Sequence, residues 1–291
     1  MASEKDITFA SAAGIDLKLD IYRPSASTSA ASTRTAILYL HGGGWRVGSR
    51  EMMRPDARAM AELGFVGLPA QYRLLAQAPW PAQLHDVKAA IRWTRAHAQE
   101  LAIDPDRIVI WGSSAGAQLA LLAAGTPAVR ELEGELSPHT VSSAVAAVIA
   151  VHAPVSFHLG NATDRSSTPA KTLLGDSASD EQARAASPIT HVHANFPATL
   201  LLHGTQDQMV HHSASQRMFD ALRSVRAPAD LHLFHGHNHG FAAVPSVRAA
   251  IAREAAYFLD RTIVNPEKYR AEIEEFSMFA RRDSARPSPP S

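Results

Sequence analysis

The chain has 291 residues, 46% of them hydrophobic, and its 28 basic residues balance 28 acidic ones. This length and composition favour a single α/β domain with a large core, and the absence of a basic stripe or nucleic-acid motif argues against a nucleic-acid ligand. Because the chain contains no cysteine, disulfides, thiol catalysis and cysteine-ligated metals are excluded.

The first residues, 1–6, are polar and lack the apolar core of a signal peptide, and no later stretch has the length of a membrane span. We therefore expect a cytoplasmic protein without a membrane partner. Residues 7–22 predict an antiparallel pair of strands at the edge of a sheet, and residues 25–35 predict a loop rich in serine, alanine and threonine.

A buried strand is predicted at residues 36–40, and it runs directly into His41-Gly42-Gly43-Gly44-Trp45. Consecutive glycines are costly in conformational entropy, and they are expected where backbone N–H groups must approach a ligand closely. In isolation the triplet would be an ordinary flexible loop. Beside a reactive serine, Gly43 and Gly44 would supply N–H groups to a developing oxyanion, and Trp45 would line the substrate pocket.

The next predicted element is a helix at residues 81–101, whose side chains at core spacing are Leu84, Val87, Ile91 and Thr94. His85 and Asp86 lie within this helix, and we expect both to be structural rather than catalytic. A strand at residues 108–110 follows.

The most informative segment is Trp111-Gly112-Ser113-Ser114-Ala115-Gly116, which reads G-x-S-x-G directly after that strand. The pattern is typical of a nucleophile elbow, a sharp strand-to-helix turn that presents a serine at the strand's end. Residues 115–124 favour a helix, so the N–H of Ala115 would face the same point. Ser114 is the candidate nucleophile and Ser113 a candidate substrate contact. Because short matches arise by chance, this prediction depends on partners elsewhere.

A serine nucleophile needs a base, and the base needs an orienting acid. Residues 198–202 predict a strand that ends in His203-Gly204-Thr205-Gln206-Asp207. Asp207 would then lie at the carboxyl end of a strand, where open α/β sheets bind their ligands. Residues 231–234 predict the last strand, and His239 follows in a loop. We therefore predict Asp207 as the acid and His239 as the base.

The chain contains 15 histidines, so the interpretation of His239 has a rival. His235, His237 and His239 alternate, as metal ligands on an extended segment would, but the adjacent glycines favour a loop and no H-E-x-x-H spacing is present. We therefore expect neither a metal nor a cofactor. His41 and His203 are expected to support nearby loops. Most of the others are expected to be ordinary surface or hydrogen-bonded residues: His152, His158, His191, His193, His211 and His212.

Residues 144–152 predict another strand, and residues 153–196 predict an excursion with weak periodicity. We expect the excursion to cover the site and to shape the acyl pocket. The predicted substrate contacts from this region and from the loop after Asp207 are Phe157, His158, Met209 and Val210. Since the excursion is crowded with polar residues, notably at 161–167, it favours short acyl groups.

The C-terminal part begins with a closing helix at residues 247–263, so residues 1–265 are predicted to form one α/β domain. Residues 266–283 predict an additional amphipathic helix with large apolar side chains near one face: Tyr269, Ile273, Phe276 and Phe279. This helix either packs on its own domain or supplies a homodimer contact. Residues 284–291 contain three prolines and three serines and predict a disordered tail.

Several of these motifs, taken in order, resemble the α/β-hydrolase-fold carboxylesterases of the hormone-sensitive-lipase-like and bacterial feruloyl-esterase-like (acetyl xylan esterase-like) groups. The resemblance runs from residues 17–24 to His239-Gly240-Phe241. Between them lie Tyr72-Arg73-Leu74, Pro79-Trp80-Pro81-Ala82, Asp86, Arg92-Trp93 and residues 103–108. It implies an α/β-hydrolase fold, with a mostly parallel twisted sheet, helices on both faces and a small cap excursion.

The resemblance also implies a serine esterase that cleaves small esters with short-acyl or aryl groups through an acyl-enzyme intermediate. It carries the triad onto Ser114, Asp207 and His239. The oxyanion hole falls on the N–H groups of Gly43, Gly44 and Ala115.

Three departures from the lipase-like pattern stand out. That group usually has Gly-Asp-Ser-Ala-Gly-Gly, whereas this chain has Ser113 in place of the aspartate and Ala117 in place of the last glycine. Gln77 stands where a glutamate often pairs with the arginine of Tyr-Arg-Leu, so Arg73 needs another partner. The His-Gly-Thr-Gln-Asp segment around Asp207 favours the feruloyl-esterase-like branch.

Two other functions are compatible with the motifs. The same residues would serve an amide, formamide or lactone hydrolase, or an acyltransferase. A non-catalytic, ligand-binding homologue of the hydrolases is the second alternative, and the joint presence of Ser114, Asp207 and His239 argues against it.

Overall fold

The computed structural model describes residues 3–25, 33–127, 129–136, 140–158 and 168–284. Within them, eight strands form one sheet in the order β1-β2-β4-β3-β5-β6-β7-β8. The strands are β1 (Ser3–Ala12), β2 (Ile15–Tyr22), β3 (Ala36–Leu40), β4 (Val66–Ala70), β5 (Ile108–Ser113), β6 (Ala147–Val151), β7 (Ala198–Gly204) and β8 (Ala229–Phe234).

The sheet is parallel from β4 through to β8, whereas β1 and β2 pair antiparallel and β2 also joins β4 antiparallel. The predicted antiparallel pair at the edge is therefore confirmed. Strands β3, β4, β6 and β7 are buried along their whole length. This burial explains their continuous apolar sequences, since a parallel sheet is covered on both faces.

The helices are α1 (Arg54–Glu62), α2 (Ala82–Ala96), α3 (Ala115–Gly125), α4 (Thr168–Leu174), α5 (Asp180–Ala185), α6 (Ser213–Ser224), α7 (Pro245–Leu259) and α8 (Pro266–Ser284). A π-helical turn, Asp260–Val264, joins α7 to α8. Among the described helices, none is both long enough and apolar enough to cross a membrane.

Hydrophobic clusters cover both faces of the sheet. Alternate residues of β3 point to opposite faces, and Leu38 belongs to one cluster while Ile37 belongs to the other. Helices α2, α3 and α6 contribute to the first cluster, and α1 and α7 contribute to the second. The predicted fold class, a mostly parallel sheet with helices on both faces, is confirmed.

Two predicted helices differ in length from the observed ones. The helix predicted at residues 81–101 ends at Ala96, and the closing helix predicted at 247–263 gives way to the π-helical turn after Leu259. Of His85 and Asp86 in α2, Asp86 is structural, because it accepts hydrogen bonds from the backbone N–H and the guanidinium of Arg73. Asp86 is therefore the partner of Arg73, in place of the glutamate that is absent at position 77.

The predicted excursion contains the short helices α4 and α5, and its residues 159–167 lie outside the described residues. Helix α5 begins with a capping box in which Ser179 and Gln182 satisfy each other's backbone N–H groups. The division of the chain into a domain at 1–265 with a cap at 153–196 stays a prediction.

The additional C-terminal helix, α8, is held at its start by the Tyr269 hydroxyl, which donates a hydrogen bond to Asp260. Farther along it, Ile273 is 66% exposed and Phe276 is 77% exposed. The side chain of Phe279 and the predicted tail after Ser284 lie outside the described residues. Ser284 itself is the last helical residue, one position beyond the predicted helix end.

Candidate active site

Ser114 lies at the turn between β5 and α3 and has a left-handed backbone, with φ of 52° and ψ of −116°. Glycines on both sides permit this turn. A Cβ atom on Gly112 would lie 2.2 Å from the carbonyl oxygen of Gly116, and a Cβ on Gly116 would lie 2.4 Å from that of Leu40. The Ser114 N–H donates to the carbonyl of Val151 at 2.9 Å. Strand β5, helix α3 and strand β3 therefore pack too closely for a side chain at position 112 or 116, and Ser114 lies at the end of β5.

Three predicted residues lie in one chain of hydrogen bonds. His239 Nε2 is 2.9 Å from Ser114 Oγ, and His239 Nδ1 is 2.6 Å from Asp207 Oδ2. The partners are 125 and 32 residues apart in sequence, and the fold joins them because β5, β7 and β8 end at the same edge of the sheet. This geometry is that of a nucleophile, base and acid.

Asp207 is buried, and its two oxygens have different partners. Oδ1 accepts hydrogen bonds from the N–H groups of Met209 and Val210, each at 2.9 Å. Oδ2 faces His239 and also lies 3.2 Å from Nε2 of His203. Burial alone would raise the pKa of Asp207, but the hydrogen bonds from His203, His239 and the Val210 N–H outweigh it and hold that pKa well below its ordinary value. Asp207 is therefore charged at neutral pH.

The two histidines that were expected to support loops do so. His203 is fixed by the hydroxyl of Ser215 at 2.7 Å and by the carbonyl of Val210 at 2.8 Å. His41 Nδ1 lies 2.6 Å from the carbonyl of Gly42, and its ring stacks on Tyr72 with centroids 4.4 Å apart.

His152 is the residue that sequence reasoning missed. Its ring stacks on that of His239, with centroids 4.0 Å apart and planes 18° apart, and its Nε2 is 2.8 Å from the hydroxyl of Ser113. Burial, and then the neighbouring His239, lower the pKa of His152 to about 3, so the ring is neutral. His152 is buried and hydrogen-bonded, as most of the histidines without a motif were expected to be, but its place beside His239 was not predicted. The available signal was its place directly after β6, the strand beside β5.

The glycine loop passes directly beside Ser114, since a Cβ atom on Gly42 would lie 3.2 Å from Ser114 Cβ. Gly43 and Gly44 have φ of 118° and 59°, which side chains disfavour. The Gly43 carbonyl closes the turn by accepting the N–H groups of Arg46 and Val47, each at 3.1 Å. In the described part of the chain, the N–H groups of Gly43, Gly44 and Ala115 have no protein acceptor, so they are free to bind a ligand oxygen.

Two cavities meet at Ser114, His239, Gly44 and Met209. The larger, about 540 Å³, includes Ser113 and His152 in its wall. The smaller, about 460 Å³, is lined by Trp45, Ala115, Val210 and part of α4. A carbonyl carbon placed at Ser114 would therefore have one cavity for its acyl side and another for its alcohol side.

Four of the six predicted substrate contacts line these cavities: Trp45, Ser113, Met209 and Val210. Phe157 and His158 line neither, contrary to the prediction. The ring of Phe157 is buried behind Trp45, at a centroid distance of 5.9 Å, and its N–H donates to Ser187 Oγ. His158 is exposed.

The alternating histidines do not form a metal cluster within the described residues. The group of potential ligand atoms that lie within 4.8 Å of one another is His152, Asp207 and His239 instead. Asp207 Oδ2 and His239 Nδ1 are only 2.6 Å apart and directly hydrogen-bonded. An ion at ordinary ligand distances of about 2.0 to 2.2 Å from both atoms would have to break that bond, so the donor set does not fit a metal.

Comparisons with known proteins find similar esterases. The BD-FAE family model matches residues 19–222. Esterase LipQ of Mycobacterium tuberculosis is 32% identical over 251 residues, which cover 81% of this chain and 57% of LipQ. Carboxylesterase NlhH of the same species is 42% identical over 108 residues, one third of each chain. The chain spans under two thirds of the length of LipQ and of LipM, a probable carboxylic ester hydrolase of which it covers 58%.

Solved structures match over nearly their full length. The propionate-bound esterase Est2 of Thermogutta terrifontis is 31% identical, with a TM-score of 0.74, and the match covers 88% of this chain and 93% of Est2. A truncated carbohydrate esterase from gut microbiota is 27% identical, with a TM-score of 0.78, and the match covers 90% of this chain and 96% of that one. The chain therefore belongs to the BD-FAE family and has an α/β-hydrolase fold.

Proposed function

We propose that this protein hydrolyses carboxylic esters of small molecules, with short-acyl or aryl groups, through an acyl-enzyme intermediate on Ser114. The observation that carries the proposal is the continuous hydrogen-bonded chain from Asp207 through His239 to Ser114, at 2.6 and 2.9 Å. Free backbone N–H groups and two cavities lie around the same hydroxyl.

In the first half-reaction, His239 Nε2 takes the Ser114 proton as Oγ attacks the ester carbonyl carbon. Charged Asp207 accepts the His239 Nδ1–H, which keeps the lone pair on Nε2 and stabilises the imidazolium that forms. The C–O bond to the alcohol then breaks, and His239 gives its proton to the leaving oxygen. Water repeats the sequence on the acyl-enzyme, which releases the acid and restores Ser114.

The negative charge of each tetrahedral intermediate would be held by the N–H groups of Gly43, Gly44 and Ala115. Each such donor contributes about 3 kcal/mol to lowering the barrier in serine hydrolases. The positive φ angles of Gly43 and Gly44 support this role, because glycine adopts them without strain and both residues line the cavity beside Ser114.

The relatives support the ester as substrate. LipQ is named an esterase and NlhH a carboxylesterase, and Est2 has been solved with bound propionate, a short carboxylate of the kind that ester hydrolysis releases. Est2 has also been solved phosphorylated by paraoxon and phosphonylated by sarin. A cytoplasmic location, and a homodimer formed through the exposed apolar residues of α8, remain predictions from the sequence.

A substrate panel tests the proposal. Purified protein and a Ser114→Ala variant would be assayed on p-nitrophenyl esters, p-nitroanilides, formanilides and lactones. We expect kcat/KM for the best ester to exceed that for every other class by about 100-fold, and the variant to lose the activity. Faster cleavage of a formanilide, anilide or lactone, or activity that survives in Ser114→Ala, would contradict the proposal.

A further inference from the structure

An ion pair lies in the wall of the larger cavity at the candidate active site. Among the described residues that line this cavity, Asp56 of α1 and Arg248 of α7 are the acidic and basic side chains other than histidine. Asp56 and Arg248 side chains are 15% and 22% exposed. Much of the remaining wall is apolar and includes Val47, Trp111 and Ile251.

The pair is poorly satisfied by the protein itself. Arg248 Nε lies 3.3 Å from Asp56 Oδ1, yet it is buried without a hydrogen bond of good geometry. Arg248 Nη2 donates to the carbonyl of Ala243 at 3.3 Å. A guanidinium has five N–H donors and a carboxylate has several acceptor sites, so each group can form more hydrogen bonds than these contacts use. Burial raises the pKa of Asp56 to about 6 despite the nearby Arg248, as expected for a carboxylate with few compensating partners.

This arrangement discriminates between chemical groups. An apolar chain would displace water from both charged side chains and offer no hydrogen bond in return, which is costly. A carboxylate would be attracted to Arg248 but repelled by Asp56. A hydroxyl group satisfies both residues, because it donates its proton to the carboxylate while its oxygen accepts from the guanidinium.

We propose that this cavity binds the part of the substrate that carries a free hydroxyl group, with Asp56 and Arg248 as the residues that select it. The inference rests on the proposed ester hydrolysis and narrows its substrates to hydroxylated esters. The hydroxyl belongs either to the acid or to the alcohol of the ester, since the two cavities flank Ser114.

Two matched pairs of esters test the inference. Ethyl hexanoate and ethyl ω-hydroxyhexanoate differ by a hydroxyl on the acyl side, and hexyl acetate and ω-hydroxyhexyl acetate differ by one on the alcohol side. Hydrolysis would be followed by titrating the released acid. We expect the wild type to prefer the hydroxylated member of one pair by about tenfold or more in kcat/KM, because a site built for a hydroxyl rejects the analogue that lacks it.

The double variant Asp56→Asn/Arg248→Gln should reduce that preference to near unity, and the isosteric Asp56→Asn, which preserves packing between α1 and α7, should reduce it at least about threefold. Arg253→Gln, an exposed change on the same helix, is the matched control and should leave the ratio unchanged. Equal kcat/KM within both pairs, or a preference that survives in both variants, would overturn the inference alone. Failure to hydrolyse any of the four esters would refute the proposed esterase function, and the inference with it.

Discussion

Replacing Asp207 by asparagine should disable the site while changing a single atom. In the native protein, Oδ1 accepts the N–H groups of Met209 and Val210 at 2.9 Å each, and Oδ2 lies 2.6 Å from His239 Nδ1. An asparagine keeps both backbone bonds only with its oxygen in the Oδ1 position. Its NH2 group then faces His239.

An NH2 group donates and cannot accept, so His239 would turn Nδ1 into an acceptor and carry its proton on Nε2. That proton points at the hydroxyl of Ser114, 2.9 Å away, and the ring can no longer act as base. Holding the wrong tautomer costs a serine hydrolase about 10⁴-fold in kcat, equivalent to about 5.4 kcal/mol. We expect a loss of this size, with KM little changed.

The assay is the steady-state hydrolysis of p-nitrophenyl butyrate by the wild type, Asp207→Asn and a control, Asp220→Asn, which removes an exposed carboxylate from α6. Circular dichroism checks that each variant folds. The control should retain wild-type kcat. A folded Asp207→Asn protein with kcat within about tenfold of wild type would refute the reasoning, because the tautomer of His239 would then not depend on Asp207.

Stability gives a second measurement on the same variant. Since the pKa of Asp207 is lowered in the folded protein, its charged form stabilises the fold at pH values above the unfolded pKa of about 3.9. That contribution is lost as the pH falls toward the lowered folded value. The excess stability of the wild type over Asp207→Asn should therefore shrink below about pH 4, measured by urea unfolding at each pH. A difference that stays constant on acidification would contradict this account.

The remaining predictions concern the histidines and the acyl chain. His239→Ala should lower kcat by several powers of ten, whereas His235→Ala and His237→Ala should each cost less than about tenfold, as measured with p-nitrophenyl esters. His152→Ala removes the ring stacked on His239 at 4.0 Å, and it should lower kcat by about 10- to 100-fold with little change in KM, whereas an unchanged kcat would show that the stack is dispensable. On p-nitrophenyl esters of increasing length, kcat/KM should peak at about two to six carbons and fall beyond about eight, because longer chains find no further apolar wall; a profile that rises to palmitate would contradict this.

Most of the sheet was predictable from sequence because its central strands are buried on both faces and read as short apolar runs. Strand β4, Val66–Ala70, was not predicted, although it lies between β2 and β3. Its sequence contains Gly67 and Pro69, which argue against a central strand. Pro69 is accepted in the sheet, in register with Tyr39. Whether these residues form a strand depends on pairing with neighbours far away in sequence, and a local sequence pattern does not contain that information.

The candidate site likewise contains some residues that the sequence predicts and others that it does not. Ser114 and the glycine loop are readable because backbone constraints force glycine at fixed spacing, as the 2.2 and 2.4 Å approaches around Gly112 and Gly116 illustrate. His152 has no local motif, and its contact with His239 arises only from the order of the strands. The placement of Phe157 depends on how the excursion folds back onto Trp45, which weak periodicity does not predict.

The most direct test of the central claim is covalent labelling of the nucleophile. A fluorophosphonate probe reacts with a serine that is activated by a base and leaves ordinary serines unmodified. We expect the probe to label the protein once, at Ser114 by peptide mass mapping, and labelling to disappear in Ser114→Ala and in His239→Ala. Labelling that persists in Ser114→Ala, or that maps to Ser113, would contradict the account.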